Sequence, residues 1–144
     1  MTLGEVMEMA AREQYLAVVS TLRADSTIQS SLVNAGALEH PITGEQVLAF
    51  VTYGAVKLRN LRARPQLTVT YRSAWTWAAL EGDAELIGPD DPHPQVDAER
   101  LRVMLRDIFK AAGGKHDDWD AYDRTMLEQR RTAVFVKPTR IYSN

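Results

Sequence analysis

The sequence predicts one α+β domain, mainly β, in which six antiparallel strands form a barrel with helices at its ends. The chain has 144 residues, 45% of them hydrophobic, which is enough for one core and too little for two. Six β-branched, apolar stretches alternate with short segments of turn-forming residues. Short turns join antiparallel strands, and a small sheet of this kind protects its edges by closing on itself.

The six strands are predicted from their β-branched and apolar content and from the turns that bound them. The turn residues RADST join the first two strands as a hairpin, and Gly82 is expected to mark a bulge or bend in the fifth. The predicted strands are residues 15–22, 28–38, 47–53, 66–72, 76–88 and 132–143.

Helices are predicted at the start of the chain, after the third strand, and between the fifth and sixth strands. Thr2 and Glu5 have the spacing of a capping box, and apolar residues then recur at helical intervals. The second helix ends before Pro65, which cannot continue it. After the first helix, the predicted helical segments are residues 55–64, residues 101–109, where an apolar stripe stops before two glycines, and residues 118–131.

Charge and composition argue against several classes of protein. With 17 basic and 19 acidic residues the net charge is −2, which is unlike a general nucleic-acid binder. The absence of cysteine removes disulfides, thiolate nucleophiles and cysteine-based zinc sites. No apolar run approaches the roughly 18 residues of a membrane span, and no signal peptide is recognisable. We therefore expect a cytoplasmic protein without a membrane or nucleic-acid partner.

One segment is strongly basic. The run VTYGAVKLRNLRARP, residues 51–65, has four cations within eight positions and no acid. Gly54 allows a sharp exit from the third strand, and Lys57 then lies in the first turn of the next helix, where it is expected to be exposed. Free backbone N–H groups and the helix dipole attract anions there. The segment suits a phosphate, although from charge alone a solvated helix face is the simpler interpretation. Neither a G-x-G-x-x-G nor a G-x-x-x-x-G-K-[ST] motif is present.

Four blocks of the sequence carry a family resemblance: STLRADSTIQSSLV, VTYGAVKLRNLRARP, WTWAALEGDAELIGP and GGKHDDWDAYDRTMLEQRR. Together they resemble the pyridoxamine 5′-phosphate oxidase-like superfamily of flavin and deazaflavin split barrels. The last block is similar to the actinobacterial branch that uses the deazaflavin coenzyme F420. The resemblance covers nearly the whole chain. It implies a split β-barrel of the FMN-binding type, a homodimer and an F420-dependent reductase.

The resemblance also implies a set of cofactor-binding residues. Its most specific piece is K-x-R-N-L, residues 57–61, which is similar to the family's phosphate-binding run. Other positions match residues that line the ring edge and ribityl chain, bind the phosphate, or contact the ring across a dimer interface. Strand alternation places Gln29 and Ser31 on one face of the second strand and Asn34 on the other unless a bulge intervenes. The implied residues are Gln29, Ser31, Asn34, Thr52, Lys57, Arg59, Asn60, Trp75 and Trp77.

Three of these positions also have a purely structural interpretation. Thr52 is a good strand former, and Trp75 and Trp77 can serve packing alone. His116 lies in the last resemblance block, where Asp117, Asp118 and Asp120 are interpreted as helix-start acids, and a lone histidine makes a poor metal site, so no metal is expected. Glu81 and Glu85 share a strand face and are interpreted as solvated.

Departures from the flavin oxidases favour F420 over FMN as the cofactor. Those oxidases usually place Ser-Arg-Lys where this chain has Ala55, Val56 and Lys57, so a hydroxyl and a guanidinium that hold phosphate are missing. The ending TRIYSN differs from the Arg-Leu-x-Pro ending of true pyridoxamine phosphate oxidases. A groove with Lys57, Arg59 and Arg62 suits the phosphodiester and glutamate tail of F420. Arg64 is interpreted as a surface charge.

The resulting hypothesis is hydride transfer from reduced F420 to an activated C=C bond in a small organic acceptor, an enone or an unsaturated lactone. No catalytic residue is identifiable, and Tyr53, Ser31 and water are all candidate proton donors. Three alternatives stay open: an FMN-dependent oxidase or reductase, a haem-handling split barrel, and a non-catalytic carrier or sensor of a flavin-like cofactor.

Overall fold

The computed structural model describes residues 1–144 and contains seven strands and four helices. The helices are α1 (Leu3–Ala11), α2 (Ala55–Ala63), α3 (Ala98–Ala111) and α4 (Trp119–Glu128). None of them combines the length and the apolar character needed to cross a bilayer. The strands are β1 (Leu16–Leu22), β2 (Ile28–Asn34), β3 (Gly36–Glu39), β4 (Gln46–Thr52), β5 (Gln66–Ser73), β6 (Thr76–Ile87) and β7 (Thr132–Ser143).

All seven strands form one antiparallel sheet in the order β2-β1-β5-β6-β7-β4-β3, with its two edge strands left unpaired on their outer sides. The prediction of a closed, six-stranded barrel is therefore wrong in count and in closure. The cause lies at Ala35, where the predicted strand 28–38 breaks. Asn34 still pairs with Leu16 of β1, whereas Gly36 already pairs with Ala49 of β4. One residue thus joins the two edges of a strongly curled sheet.

Two contacts hold the break at Ala35. Its backbone N–H donates to Tyr15 O at 3.0 Å, and its carbonyl accepts from the buried Tyr71 hydroxyl at 2.6 Å. The next residue, Gly36, meets the C-terminal end of α3 so closely that a Cβ there would lie 2.3 Å from Ala111 O. A side chain at this position would push α3 off the sheet, and glycine is required for the close approach.

The predicted irregularity at Gly82 is confirmed as a β-bulge between β6 and β7. Glu81 pairs with Arg140 but Gly82 pairs with Pro138, so Thr139 is the extra residue. A Cβ on Gly82 would lie 2.5 Å from Lys137 O, which explains the glycine. The bulge also accommodates a proline, which has no N–H to donate to the ladder.

Two hydrophobic clusters lie on opposite faces of the sheet. The larger fills the concave inner face, where α1 and α2 contribute side chains such as Val6 and Leu61 to a core with Phe50, Val69 and Leu80. The smaller lies between α3 and the outer face of β4 and β7. Fully burying one such side chain contributes about 1.5–3 kcal/mol. These clusters fix α2 against one face and α3 against the other.

The rest of the outer face has no helix over it. Most outward side chains of β1 and β2 are apolar, with the hydrogen-bonded Ser20 and Ser30 among them, and Ile28 and Leu32 are 65% and 63% exposed. Val18 lies directly opposite Leu32 in the β1–β2 ladder. Other exposed apolar side chains on this face are Leu16 on β1, Trp77 on β6 and Tyr142 on β7. A surface of this kind is typical of a protein contact site.

Candidate cofactor site

The candidate site is built around Lys57 at the junction of β4 and α2. Thr52 ends β4, and Gly54 begins the helix as an N-cap without a side-chain cap, so the first-turn N–H groups have no capping partner. Lys57 Nζ donates to Thr52 Oγ1 at 3.3 Å and lies 5.7 Å from the centroid of the Phe50 ring. The Thr52 hydroxyl also accepts from Gly54 N at 3.2 Å. These contacts join the lysine, the strand end and the helix start.

Lys57 is only 5% exposed, so the expectation of a solvent-exposed lysine is wrong. Packing of Leu58 and Leu61 into the core turns the first turn of α2 toward the sheet and takes the lysine with it. No carboxylate lies at ion-pair distance, and burial lowers the pKa of Lys57 below its ordinary value. An uncompensated buried ammonium is unfavourable, and a bound anion would relieve it.

Asn60 and Gln29 are linked through a residue that the sequence reasoning missed, Thr21. Asn60 Nδ2 donates to Thr21 Oγ1 at 3.1 Å, and Thr21 Oγ1 donates to Gln29 Oε1 at 3.3 Å. This chain of hydrogen bonds ties α2 to β1 and β2. A single threonine in a strand gives no sequence signal for such a role.

Ser31 lies on the same inward-facing side of β2 as Gln29. Its hydroxyl oxygen is buried and has no hydrogen-bond partner in the protein. Buried hydroxyls are rarely left unsatisfied, and an orphaned one indicates a place for a ligand or water. Ser31 and Lys57 both leave hydrogen-bonding capacity unused, which is the kind of donor set that a polar cofactor carrying a phosphate needs.

Asn34 points to the opposite face, as the alternation of β2 predicted. Its Nδ2 donates to Gln14 O at 2.8 Å, and it lies at the rim of a separate cleft of about 670 Å³. Asn34 is therefore separated from Gln29 and Ser31 by the thickness of the strand.

The three arginines of the basic segment differ in their partners. Arg59 is exposed and has no carboxylate partner. Arg62 is paired with Asp91 through two hydrogen bonds of 2.9 and 2.7 Å, so its charge is already compensated. Arg64 is half-buried rather than a free surface charge, because its Nε donates to Leu22 O at 2.9 Å. Arg62 is the one cation of the segment with a counterion, and Lys57, Arg59 and Arg64 have none.

The two tryptophans lie far from Lys57 within one chain. Trp75 is in the turn before β6 and is 91% exposed, while Trp77 lies at the start of β6, with Tyr142 as its edge-on neighbour at 6.1 Å. Thr52 pairs with Thr132, which adjoins Gly88 beyond the other end of β6. The length of β6, roughly 30 Å, separates the two places. Within one chain, the tryptophans and Lys57 therefore do not form one site.

The block GGKHDDWDAY forms the contact between α3 and α4. Asp118 caps α4, and His116 Nδ1 accepts from the Asp118 backbone N–H at 3.0 Å. Trp119 and Tyr122 pack around Phe109, and the Tyr122 hydroxyl donates to Leu105 O. Nowhere in the chain do three His, Cys, Asp or Glu side chains gather in a metal-binding group.

The sequence-based interpretation of Glu85 as a simply solvated residue is incomplete, because Glu85 pairs with the buried His40. The distance from His40 Nε2 to Glu85 Oε1 is 2.6 Å. His40 Nδ1 accepts the backbone N–H groups of Ile42 and Thr43, which assigns the ring hydrogen to Nε2. Glu81 remains partly exposed at the surface. The pair anchors the turn after β3 to β6.

No protein-family model matches the chain. Among solved structures, it is similar to the conserved hypothetical protein Rv2991 of Mycobacterium tuberculosis, with a TM-score of 0.68, 16% identity, and coverage of 99% of this chain and 84% of that one. A protein described as an F420 reductase gives a TM-score of 0.60 at 18% identity, covering 90% of each chain.

A pyridoxamine 5′-phosphate oxidase-related, FMN-binding protein of Nostoc punctiforme is also similar, with a TM-score of 0.62 at 13% identity, covering 97% of this chain and 82% of that one. Identities this low show the fold alone. The resemblance read from the sequence is confirmed at that level: the chain has the split-barrel fold of the pyridoxamine 5′-phosphate oxidase-like proteins.

Proposed function

We propose that this protein is a coenzyme F420-dependent reductase whose cofactor phosphate is held at the junction of β4 and α2. The observation that carries the proposal is the buried ammonium of Lys57, which has one weak hydrogen bond and no counterion. A phosphate there would accept from Lys57 and from the uncapped N–H groups of α2. Thr52 would contribute its hydroxyl, and Ser31 its unsatisfied one, to the polar chain of the cofactor.

The residues around Lys57 favour F420 over FMN. Ala55 and Val56 are both exposed in the first turn of α2 and offer no phosphate ligand in place of the missing hydroxyl and guanidinium. Arg59 lies one turn further along the helix, exposed and unpaired, where it can meet the negative charge that F420 carries beyond its phosphate. Arg62 contributes less because Asp91 already compensates it.

In the proposed reaction the protein binds, orients and shields its ligands. When bound, reduced F420 would supply a hydride to the β-carbon of a conjugated enone or lactone. A proton from water or from a side-chain hydroxyl such as that of Tyr53 or Ser31 would reach the α-carbon, so that the C=C bond is reduced and the cofactor oxidised. Lys57 and Thr52 would fix the cofactor at its phosphate, and the sheet would exclude water. No nucleophilic side chain is required.

We further propose that the protein acts as a homodimer. The exposed apolar face of β1 and β2 needs a cover, and a second copy would also bring its Trp75 and Trp77 to a cofactor held by the first. Each cofactor site would then use residues from both chains.

An FMN-dependent enzyme is the second candidate, supported by the similarity to an FMN-binding protein. Protein purified from a host that lacks F420 distinguishes the possibilities. Retained yellow flavin supports FMN, a Soret band supports haem, and colourless protein that binds F420 on titration supports the proposal. Colourless protein that binds F420 without reducing any acceptor would indicate a carrier or sensor.

Replacing Lys57 with methionine tests the phosphate site. Met keeps most of the side-chain volume and removes the charge, so Lys57→Met should weaken F420 binding by about 1.5–3 kcal/mol in a fluorescence titration. The same variant should be more stable than wild type without cofactor, because it no longer buries an unpaired ammonium. The exposed Lys115→Met is the matched control and should change neither quantity.

The gain in stability of Lys57→Met should depend on pH. The pKa of Lys57 in the folded protein lies below its value near 10.5 in the unfolded chain. Between these two pKa values the unfolded chain binds more protons than the folded one, so the stability of the wild type increases as pH rises. The difference in the free energy of unfolding between Lys57→Met and wild type should therefore narrow from pH 7 to pH 10 in urea titrations.

The binding measurement has its own contradicting outcome. An equal affinity for F420 in a folded Lys57→Met variant would remove Lys57 from the site.

The dimer is tested by placing a charge on the uncovered face. Leu32→Lys should halve the mass measured by light scattering at micromolar concentration, because the lysine would be buried unpaired in the interface. Leu127 on α4 is 75% exposed, and Leu127→Lys should leave the mass unchanged. A monomeric wild type that binds F420 tightly would contradict the shared site.

The reaction is tested with reduced F420 that carries deuterium at its transferable position. The label should appear on the β-carbon of an enone or unsaturated lactone, and NADPH should not replace F420. Mass spectrometry or NMR of the product locates the label. A product without label, or turnover that requires oxygen, would indicate flavin oxidase chemistry.

A further inference from the structure

A cleft opens on the outer face of the sheet, between α1, α3, α4 and β4. Its volume is about 670 Å³, and most of its lining is apolar or aromatic. Val51 and Asn34 line it and face the opposite side of their strands from Thr52 and Ser31, so the cleft lies across the sheet from the candidate cofactor site. The lining residues used below are Tyr15, Asn34, Val51, Phe109, Tyr122 and Arg131.

Arg131 gives this cleft an unpaired cation. Its guanidinium lies over the Tyr53 ring, with Cζ 4.1 Å from the centroid, and its Nε donates to the neutral amide oxygen of Gln129 at 2.8 Å. Its two terminal nitrogens have no acceptor in the protein, and no carboxylate forms an ion pair with it. The adjacent Arg130, in contrast, makes a two-pronged pair with Asp90 at 3.1 and 2.6 Å.

The side chain of Arg131 is partly shielded from water. The residue is half-buried, and burial lowers the pKa of the guanidinium below its ordinary value, although an arginine stays charged at neutral pH. Two free donors in a fixed plane match the two oxygens of a carboxylate, and the match is stronger where water is scarce. The feature that would satisfy Arg131 is a carboxylate on a ligand.

The opposite wall of the cleft is held in a strained conformation. Gln14 and Tyr15 have φ values of 58° and 57°, in the left-handed region that non-glycine residues avoid. Gln14 O accepts from Asn34 Nδ2, and the Tyr15 ring would lie 3.1 Å from a Cβ on Gly113, itself at φ 78°. Strain of this kind is concentrated at ligand sites, where the surrounding structure fixes it. Here it holds an aromatic ring against the cleft.

We propose that this cleft binds a flat, conjugated carboxylic acid, and that Arg131 holds its carboxylate. Tyr15, Phe109 and Tyr122 would pack against the conjugated part, and Arg131 would fix the acid end. The inference goes beyond the proposed function, because the cleft and the candidate cofactor site lie on opposite faces of the sheet.

The test compares an acid with its neutral ester. Isothermal titration calorimetry would measure binding of 4-carboxybenzylideneacetone and its methyl ester to wild type, Arg131→Gln and Arg130→Gln, with and without F420. Wild type should prefer the acid by about tenfold. Arg131→Gln should lose the preference at an unchanged melting temperature, and Arg130→Gln, which removes the same charge one residue away, should keep it.

The outcomes separate this inference from the proposed function. Equal binding of acid and ester to wild type, no binding of either at millimolar concentration, or a preference that survives Arg131→Gln would each overturn the carboxylate site. So would an Arg131→Gln variant that loses F420 affinity but keeps the acid preference, since Arg131 would then serve the cofactor. Failure of F420 to bind while the Arg131-dependent acid preference persists would overturn the cofactor and leave the carboxylate site standing.

Discussion

The buried, unpaired ammonium of Lys57 is the interaction on which the account of this molecule depends. Leu58 and Leu61 anchor α2 in the core, and that packing carries Lys57 under the protein surface beside Thr52 and Phe50. Removing an ammonium from water without a counterion costs several kcal/mol. The fold bears this cost in the cofactor-free state, and a phosphate would offset it. A residue that lowers stability while serving a ligand is typical of functional sites.

The curled sheet explains why the polar residues gather where they do. Ala35 alone joins the two edge strands, so β2 and β4 come close to each other without pairing. Polar side chains from both strands can then face one region, with Gln29 and Ser31 from β2 and Thr52 from β4. Strand alternation turns Asn34 to the outer face, toward the cleft where Arg131 lies. The proposed cofactor site and the proposed carboxylate site thus lie on opposite faces of the sheet.

Local patterns made most of the secondary structure predictable, and long-range contacts decided the rest. Strand composition, turn chemistry and the capping residues located the helices and strands, and Gly82 located the bulge. The break at Ala35 carries no local signal, because pairing with β1 on one side and β4 on the other imposes it. The burial of Lys57 was missed because a cationic helix looks solvated until its packing is known. Which of Arg130 and Arg131 finds a carboxylate likewise depends on tertiary placement.

The most direct measurement is the pKa of the Lys57 amine itself, followed by NMR of lysine labelled at the side chain, with and without saturating F420. An opposite charge at hydrogen-bond distance favours the protonated amine. The account predicts a pKa below the ordinary 10.5 in the cofactor-free protein and a clear rise when F420 binds. An ordinary pKa in the free protein, or no change when the cofactor saturates it, would contradict the account.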